Sequence, residues 1–171
     1  MNKESGKYGI NRKLSVGENR IKILFVCHGN ICRSTMAEYV MKDLVSKSGL
    51  AEQFYIDSAA TSREEIGNPV HPGTRKKLQQ ENIPCGNHRA RQLQKEEYNQ
   101  YDYLIGMDNW NIRNIMRIIK EDPQKKVYKL LEFANKEEEI ADPWYTGNFD
   151  KTYEDVRKGC EGLLAEILKT K

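Results

Sequence analysis

The sequence predicts an α/β domain in three layers, a four-stranded parallel sheet with helices on both faces. Short apolar runs alternate along the chain with stretches whose apolar residues recur every three or four positions. Strands alternating with helices are the pattern of a parallel sheet covered on both sides. The first run, Ile23-Leu24-Phe25-Val26, is continuously apolar, as in a strand buried on both faces. A length of 171 residues suits one compact domain of this kind.

Residues 1–20 are polar, with Gly6, Gly9 and Gly17 scattered through them and no apolar period. They read as a disordered N-terminal extension, and residues 21–171 as the folded domain. After the first strand, residues 27–33 form a loop. Thr35 and Glu38 have capping-box spacing, so a helix is expected to open there, with Ala37, Val40, Met41, Leu44 and Val45 on one face. Residues 54–58 read as the second strand, and a weak helix covers 74–80 and stops before Pro84. The third strand is 101–107. Residues 109–119 are a helix with Ile112, Ile115, Met116 and Ile119 on one face. A fourth strand at 127–131 leads into a long loop carrying Asp142-Pro143-Trp144-Tyr145. A last helix, about 150–168, turns Tyr153, Val156, Cys160, Leu163, Leu164 and Ile167 inward.

Charge and cysteine usage exclude several classes. Residues 1–20 hold five Lys/Arg and two Asp/Glu; 28 less 5 and 25 less 2 leave 23 of each sign in the remainder. The folded part thus has no basic excess, and nucleic acid is not an expected partner. No apolar run approaches the roughly 20 residues that span a bilayer, and the polar N-terminus has no secretory signal, so no membrane span and a cytoplasmic home are expected. The four cysteines, Cys27, Cys32, Cys85 and Cys160, contain no C-x-x-C pair and lack zinc-site spacing. They are expected to be free thiols, with no metal and no cofactor. Cys160 reads as a small core residue. Glu137-Glu138-Glu139 reads as a solvated charge run, and His28 and His71 as exposed loop histidines.

The chemistry is concentrated in Cys27-His28-Gly29-Asn30-Ile31-Cys32-Arg33-Ser34, between the first strand and the first helix. In parallel sheets, ligands bind at the carboxyl ends of the strands. Successive backbone N–H groups there can curl around an anion while the next helix points its positive end at it. Gly29 and Asn30 tolerate the left-handed backbone that a tight cradle needs. Arg33 adds a planar fork that can hold two phosphate oxygens. A cysteine at the base of the cradle feels the same positive field, which favours its thiolate. The donors that stabilise the sulfur also hold a phosphate in line with it and take up charge on the equatorial oxygens in the transition state. A phenolate leaving group needs a proton from the opposite side. Asp142, in a loop after the last strand and flanked by two aromatics, is placed to supply it.

The segment from Val26 to Ser34 resembles the phosphate loop of the low-molecular-weight protein tyrosine phosphatases, and the resemblance extends over roughly residues 20–168. Asp57-Ser58-Ala59-Ala60-Thr61, the stretch from His88 through Ala90-Arg91-Gln92, Met107-Asp108 and Asp142-Pro143-Trp144-Tyr145 match further pieces of that family in order. The resemblance implies a flavodoxin-like, Rossmann-like phosphatase fold and hydrolysis of protein phosphotyrosine and aryl phosphates. It implies Cys27 as nucleophile forming a phosphocysteine, Arg33 as phosphate ligand, and Asp142 as general acid and then base. Asn30, Ser34, Ser58 and His88 would hold the loop, with the Ser34 hydroxyl aimed at Cys27. Trp144 and Tyr145 would flank the substrate ring, and Cys32 would be the redox partner of Cys27. Phosphotyrosine proteins would be substrates, and phosphate or other oxyanions inhibitors. Three features depart from the family pattern. Thr35 replaces a usual proline, which implies a looser helix start. Glu64 stands where many members carry a tryptophan at the mouth, which implies a preference for basic residues near the phosphotyrosine. The N-terminal extension is also unusual.

Rival readings are a protein arginine phosphatase of the same fold, an arsenate reductase, and a non-enzymatic cysteine phosphoryl carrier or phosphate-binding module. The arginine branch usually has threonine where this chain has Ile31 and lacks the second aromatic of the acid loop, so Ile31 and Tyr145 favour phosphotyrosine. A reductase needs a relay of resolving cysteines, and Cys85 is outside the expected region. A carrier usually lacks the arginine and does not need Asp142.

Overall fold

The computed structural model describes residues 19–170. Residues 1–18 lie outside the described part, so the expectation for the N-terminal extension is not addressed by it. Four strands, β1 (Ile21–Cys27), β2 (Phe54–Ala60), β3 (Tyr103–Gly106) and β4 (Val127–Lys129), form one parallel sheet in the order β2-β1-β3-β4. Five α-helices surround it: α1 (Arg33–Lys47), α2 (Pro72–Gln80), α3 (Asn109–Ile119), α4 (Pro143–Thr146) and α5 (Phe149–Lys169).

Strand periodicity sorts β1 into the two layers. Ile21, Ile23, Phe25 and Cys27 face the core shared with α1 and α5, where Met36, Val40, Val156, Cys160 and Leu163 meet them. Leu24 and Val26 face the other side, against Leu93, Tyr98, Leu104, Ile115 and Ile119, on the α3 layer. Burying a side chain such as Phe25 contributes about 1.5–3 kcal/mol, and β1 is buried at nearly every position because it is an inner strand with a layer on each side. α5 packs closely because Gly159 lies against the Leu130 side chain and Gly162 against the Phe133 carbonyl, where a Cβ would not fit.

The chain leaves β1 to one side to form β2 and later returns to the other side to form β3. The strand order therefore reverses at β1, and the crevice beyond its carboxyl end is where the architecture favours a ligand. Cys27 is the last residue of β1, at that crevice.

Several boundaries differ from the sequence expectation. The third strand is shorter, and the fourth ends at Lys129, where Leu130–Ala134 tightens into a 3₁₀ turn. The Asp142 segment is not a long open loop: a single helical turn, α4, starts with Pro143 in the first position. The capping box expected at Thr35 and Glu38 does not form, since α1 already begins at Arg33 and both side chains are buried in its first turns. Thr35, where a looser helix start is expected, is buried in the first turn. Its hydroxyl lies 2.8 Å from the Ile31 carbonyl oxygen and 3.0 Å from that of Cys32, tying α1 to the loop before it. Among the described residues no helix is long and apolar enough to cross a membrane.

Candidate active site

Cys27 ends β1 and Arg33 begins α1, so the residues between them turn the chain over the carboxyl edge of the sheet. Asn30 makes the turn possible with φ 62°, in the left-handed region that asparagine tolerates. Gly29, expected to share this role, does not take a positive φ. The Asn30 N–H donates to Cys27 Sγ at 3.4 Å, and Ser34 Oγ lies 3.2 Å from the same sulfur. Ser34 Oγ already accepts from Asn30 Nδ2 at 2.7 Å, which leaves the hydroxyl proton available to the sulfur. The thiol donates to Ser34 Oγ, and once Cys27 is a thiolate the hydroxyl can turn its proton back, so that the Asn30 N–H and Ser34 both serve the sulfur as donors.

Behind the loop, Asn30 is fully buried and every polar atom of its side chain is used. Nδ2 also donates to Ser58 Oγ at 2.9 Å, while Oδ1 accepts from His88 Nε2 at 2.8 Å and from the Arg91 N–H at 3.2 Å. Because Oδ1 only accepts, the His88 proton sits on Nε2 at this contact. Ser58 and His88, expected to support the loop, are both in hydrogen-bond contact with Asn30. Three residues to which the sequence assigns no role complete the truss. Glu38 accepts from the Ser58 hydroxyl at 2.6 Å and faces His88 Nδ1 at 3.5 Å. Asp57 faces the same nitrogen at 3.4 Å, and Arg91 pairs with Asp57 at 3.1 Å and Glu97 at 2.8 Å. Glu38, Asp57 and His88 bring ligand-type atoms within 4.8 Å of one another, but these atoms are engaged in the hydrogen bonds and ion pairs just described. The sequence signals these residues only indirectly: Asp57 and Arg91 lie inside the family-like motifs, and Glu38 has the spacing of a cap.

Arg33 is buried and held from one side. Nη1 donates to Asp108 Oδ2 at 2.7 Å and to the Ile140 carbonyl at 2.9 Å, and Nη2 lies 3.4 Å from Asp142 Oδ2. Burial works against the guanidinium charge, but Cys27, Asp108 and Asp142 outweigh it and raise the pKa further. The buried Nε has no hydrogen-bond partner among the described residues. An unpaired buried N–H is costly, and a phosphate oxygen above Cys27 is a natural acceptor for it. Asp108 also caps α3, its Oδ1 accepting from the Asn111 N–H. The sequence places Asp108 at a strand end without a role, because its partner Arg33 is 75 positions away.

Asp142 is the N-cap of α4, with Oδ1 accepting from the Trp144 N–H at 3.0 Å and Oδ2 turned toward Arg33. Asp142, Trp144 and Tyr145 line a cleft of about 100 Å³ together with Cys27, Ile31 and Cys32. Trp144 is 57% and Tyr145 82% exposed, so both aromatic faces are open to a ligand. Glu64 and Glu65, the second of which the sequence does not single out, line the same cleft. His28 is not an unattached loop residue: its Nε2 lies 3.2 Å from Glu64 Oε1 at the mouth.

Cys32 is buried beside Ile31 and Ala90, with Phe149 against them. Burial first, then the neighbouring Cys27 and Asp142, push its thiol up to about 12. All four cysteines are free. Cys160 is fully buried on α5, as expected, and Cys85 is half-buried next to Gly86. His71, expected in an exposed loop, is instead the N-cap of α2, half-buried, with its Nδ1 accepting from the Gly73 N–H at 2.9 Å.

A strand-end cysteine under convergent donors, a buried arginine with an open N–H and an aspartate over the same cleft define an oxyanion site built for phosphoryl chemistry. Comparison with known proteins identifies it. Residues 22–171 match the model of the low molecular weight phosphotyrosine protein phosphatase family. The low molecular weight protein-tyrosine-phosphatase YfkJ of Bacillus subtilis is 39% identical over 153 residues, covering 88% of this chain and 98% of that protein. Its crystal structure superposes with a TM-score of 0.85, over 89% of this chain and 97% of that one. SP-PTP, the low molecular weight protein tyrosine phosphatase of Streptococcus pyogenes, superposes with a TM-score of 0.76 at 40% identity, over 85% and 92% of the two chains. A Drosophila arginine phosphatase also shares the fold, with a TM-score of 0.79 at 29% identity over 85% of this chain and 97% of that one. The chain belongs to the low-molecular-weight phosphotyrosine protein phosphatase family. It is a phosphoric monoester hydrolase with protein-tyrosine-phosphatase activity, in a family that works through a cysteine nucleophile on a phosphate loop.

Proposed function

We propose that the enzyme dephosphorylates phosphotyrosine on proteins through a phosphocysteine at Cys27, with Arg33 as phosphate ligand and Asp142 as acid and then base. The observation that carries this reading is the convergence of the Asn30 N–H and Ser34 on the Cys27 sulfur, beside a buried guanidinium whose Nε is unpaired. The sulfur attacks phosphorus, so that an S–P bond forms as the bond to the phenolic oxygen breaks. Asp142 protonates the departing oxygen. Water then attacks phosphorus, its proton passes to Asp142, the S–P bond breaks and phosphate leaves. Arg33 Nε and Nη2 and the loop N–H groups are the donors for the equatorial oxygens, where charge collects in the transition state. Phosphate and other oxyanions, meeting the same donors, act as inhibitors. A working thiol must stay reduced, which supports a cytosolic setting.

The choice of phosphotyrosine rests on the cleft walls. Ile31, Trp144 and Tyr145 present apolar and aromatic surface that a phenyl ring covers and a serine stem does not reach. A test compares kcat/KM for matched phosphotyrosine, phosphoserine and phosphoarginine peptides. Phosphotyrosine is expected to lead by at least tenfold, roughly the factor of one good aromatic contact. A lead for phosphoarginine would transfer the assignment to the arginine-phosphatase reading. In parallel, Asp142→Ala is expected to lower kcat/KM, which reports the step that expels the phenol, by about 10²–10⁴-fold for phenyl phosphate, and much less for esters whose phenols are acidic. A loss independent of the leaving group would remove Asp142 from the acid role.

A further inference from the structure

The acid-bearing turn α4 is too short to hold itself in place, and Trp144 is largely exposed. Besides the Arg33 contact with Asp142 and the Thr152 hydroxyl of α5 on the Ala141 carbonyl, the turn is met by the cap of α2. The His71 ring lies edge-on to the Trp144 ring, centroids 5.7 Å apart at 80°, and stacks on Phe149 at 5.3 Å and 24°. Phe149 lies over Gly73, where a Cβ would collide with it, and packs against Ile31 and Cys32 of the phosphate loop. The backbone N–H of His71 donates to the Ile31 carbonyl at 3.0 Å, and its Nδ1 fixes the ring by accepting from the Gly73 N–H. One residue therefore touches the loop that carries the nucleophile and, through Trp144, the turn that carries the acid. The Trp144 N–H in turn holds Asp142 Oδ1.

We propose that His71 is a positioning residue for proton transfer: its ring, locked by the α2 cap, braces Trp144 and so sets where Asp142 stands over the phosphate loop. This rests on Asp142 being the general acid, and it adds that the aim of the acid is set from α2. The side chain has two separable jobs. As an acceptor it caps α2, and as a ring it braces the acid turn. Asparagine can keep the cap and loses the brace. Phenylalanine keeps a ring between Trp144 and Phe149 and loses the cap.

The experiment compares His71→Asn, His71→Phe, Asp142→Ala and the double variant His71→Asn/Asp142→Ala. For each, kcat/KM and kcat are measured over a series of aryl phosphates of differing phenol acidity, together with inhibition by inorganic phosphate and Tm. His71→Asn is expected to lower kcat/KM for phenyl phosphate about 3–10-fold, the factor of a single aromatic contact. Esters with the most acidic phenols should lose little, and phosphate inhibition should be unchanged. His71→Phe is expected to keep the wild-type dependence on leaving group and to show its cost in Tm. In the Asp142→Ala background, His71→Asn should have no further effect on kcat. A His71→Asn variant with wild-type leaving-group dependence, or one whose loss persists undiminished without Asp142, overturns the proposal. If Asp142→Ala itself shows no leaving-group dependence, the acid assignment has failed instead, and the two failures are told apart.

Discussion

Asn30 is the residue on which the site depends most heavily, and replacing it with alanine gives the sharpest test of the geometry. Asn30→Ala removes four side-chain hydrogen bonds, to Ser34, Ser58, His88 and the Arg91 N–H. The two serine oxygens lose a donor, and the Ser58 hydroxyl still donates to Glu38, but the His88 Nε2–H and the Arg91 N–H lose their acceptor. Each buried group left unpaired costs about 1–3 kcal/mol, and an alanine held at a left-handed φ about 1 kcal/mol more. With a water taking part of the vacated space, the net loss is about 3–5 kcal/mol, a large part of the 5–15 kcal/mol that holds a typical domain together. At about 2–4 °C per kcal/mol for a chain of this size, Tm falls by roughly 10 °C. Asn30→Gly loses the same bonds without the backbone strain and should recover about 1 kcal/mol of the deficit. The assay is denaturant unfolding followed by circular dichroism, paired with inhibition by inorganic phosphate. Phosphate affinity should weaken at least about tenfold in both variants, because the loop N–H groups no longer share one aim. An alanine variant within about 1 kcal/mol of wild type and with unchanged phosphate inhibition would refute the reasoning that Asn30 organises the loop.

Cys27→Ser is expected to abolish hydrolysis while vanadate still binds, since the hydroxyl stays protonated but the cradle of donors remains; turnover by the pure variant near the wild-type rate would end the nucleophile assignment. Peroxide should inactivate the enzyme by converting the Cys27 thiolate to a sulfenic acid, which Cys32 attacks to form a disulfide and release water. Dithiothreitol should then restore activity in the wild type but not in Cys32→Ala, and a mass spectrum bridging Cys27 to Cys85 or Cys160 would contradict this pairing. Because burial pushes the Cys32 thiol well above its ordinary value, its thiolate fraction grows about tenfold per pH unit across the neutral range, so disulfide closure should speed up steeply between about pH 7 and 9; a pH-independent rate, followed by stopped-flow quench, would count against Cys32 as the attacking thiol. At the mouth, Glu64 faces His28, and peptides with a basic residue beside the phosphotyrosine should have the higher kcat/KM. Glu64→Trp should weaken that preference, and an unchanged peptide ranking would remove Glu64 from substrate selection.

What the sequence determined by itself was whatever depends on near neighbours. The alternation of strand and helix follows from local periodicity, and the six-position interval from Cys27 to Arg33 at a strand-to-helix junction is a local motif. Both were legible without coordinates, and so was the aspartate flanked by aromatics. Local spacing also misled in one place. Thr35 and Glu38 have the interval of a capping box, but α1 starts two residues earlier, at Arg33, and Glu38 turns inward to Ser58. The tertiary structure alone decided the partnerships between residues far apart in sequence. Arg33 meets Asp108 and Asp142, and Asn30 meets Ser58, His88 and the Arg91 backbone, because the ends of the four strands and the segments after them converge on one edge of the sheet. His71, unremarkable as a single residue before a proline, became a brace only when α2, α4 and α5 were packed together. A parallel sheet places loops from separate crossovers side by side. Their pairing is set by strand order and helix packing, quantities to which no short window of sequence is sensitive.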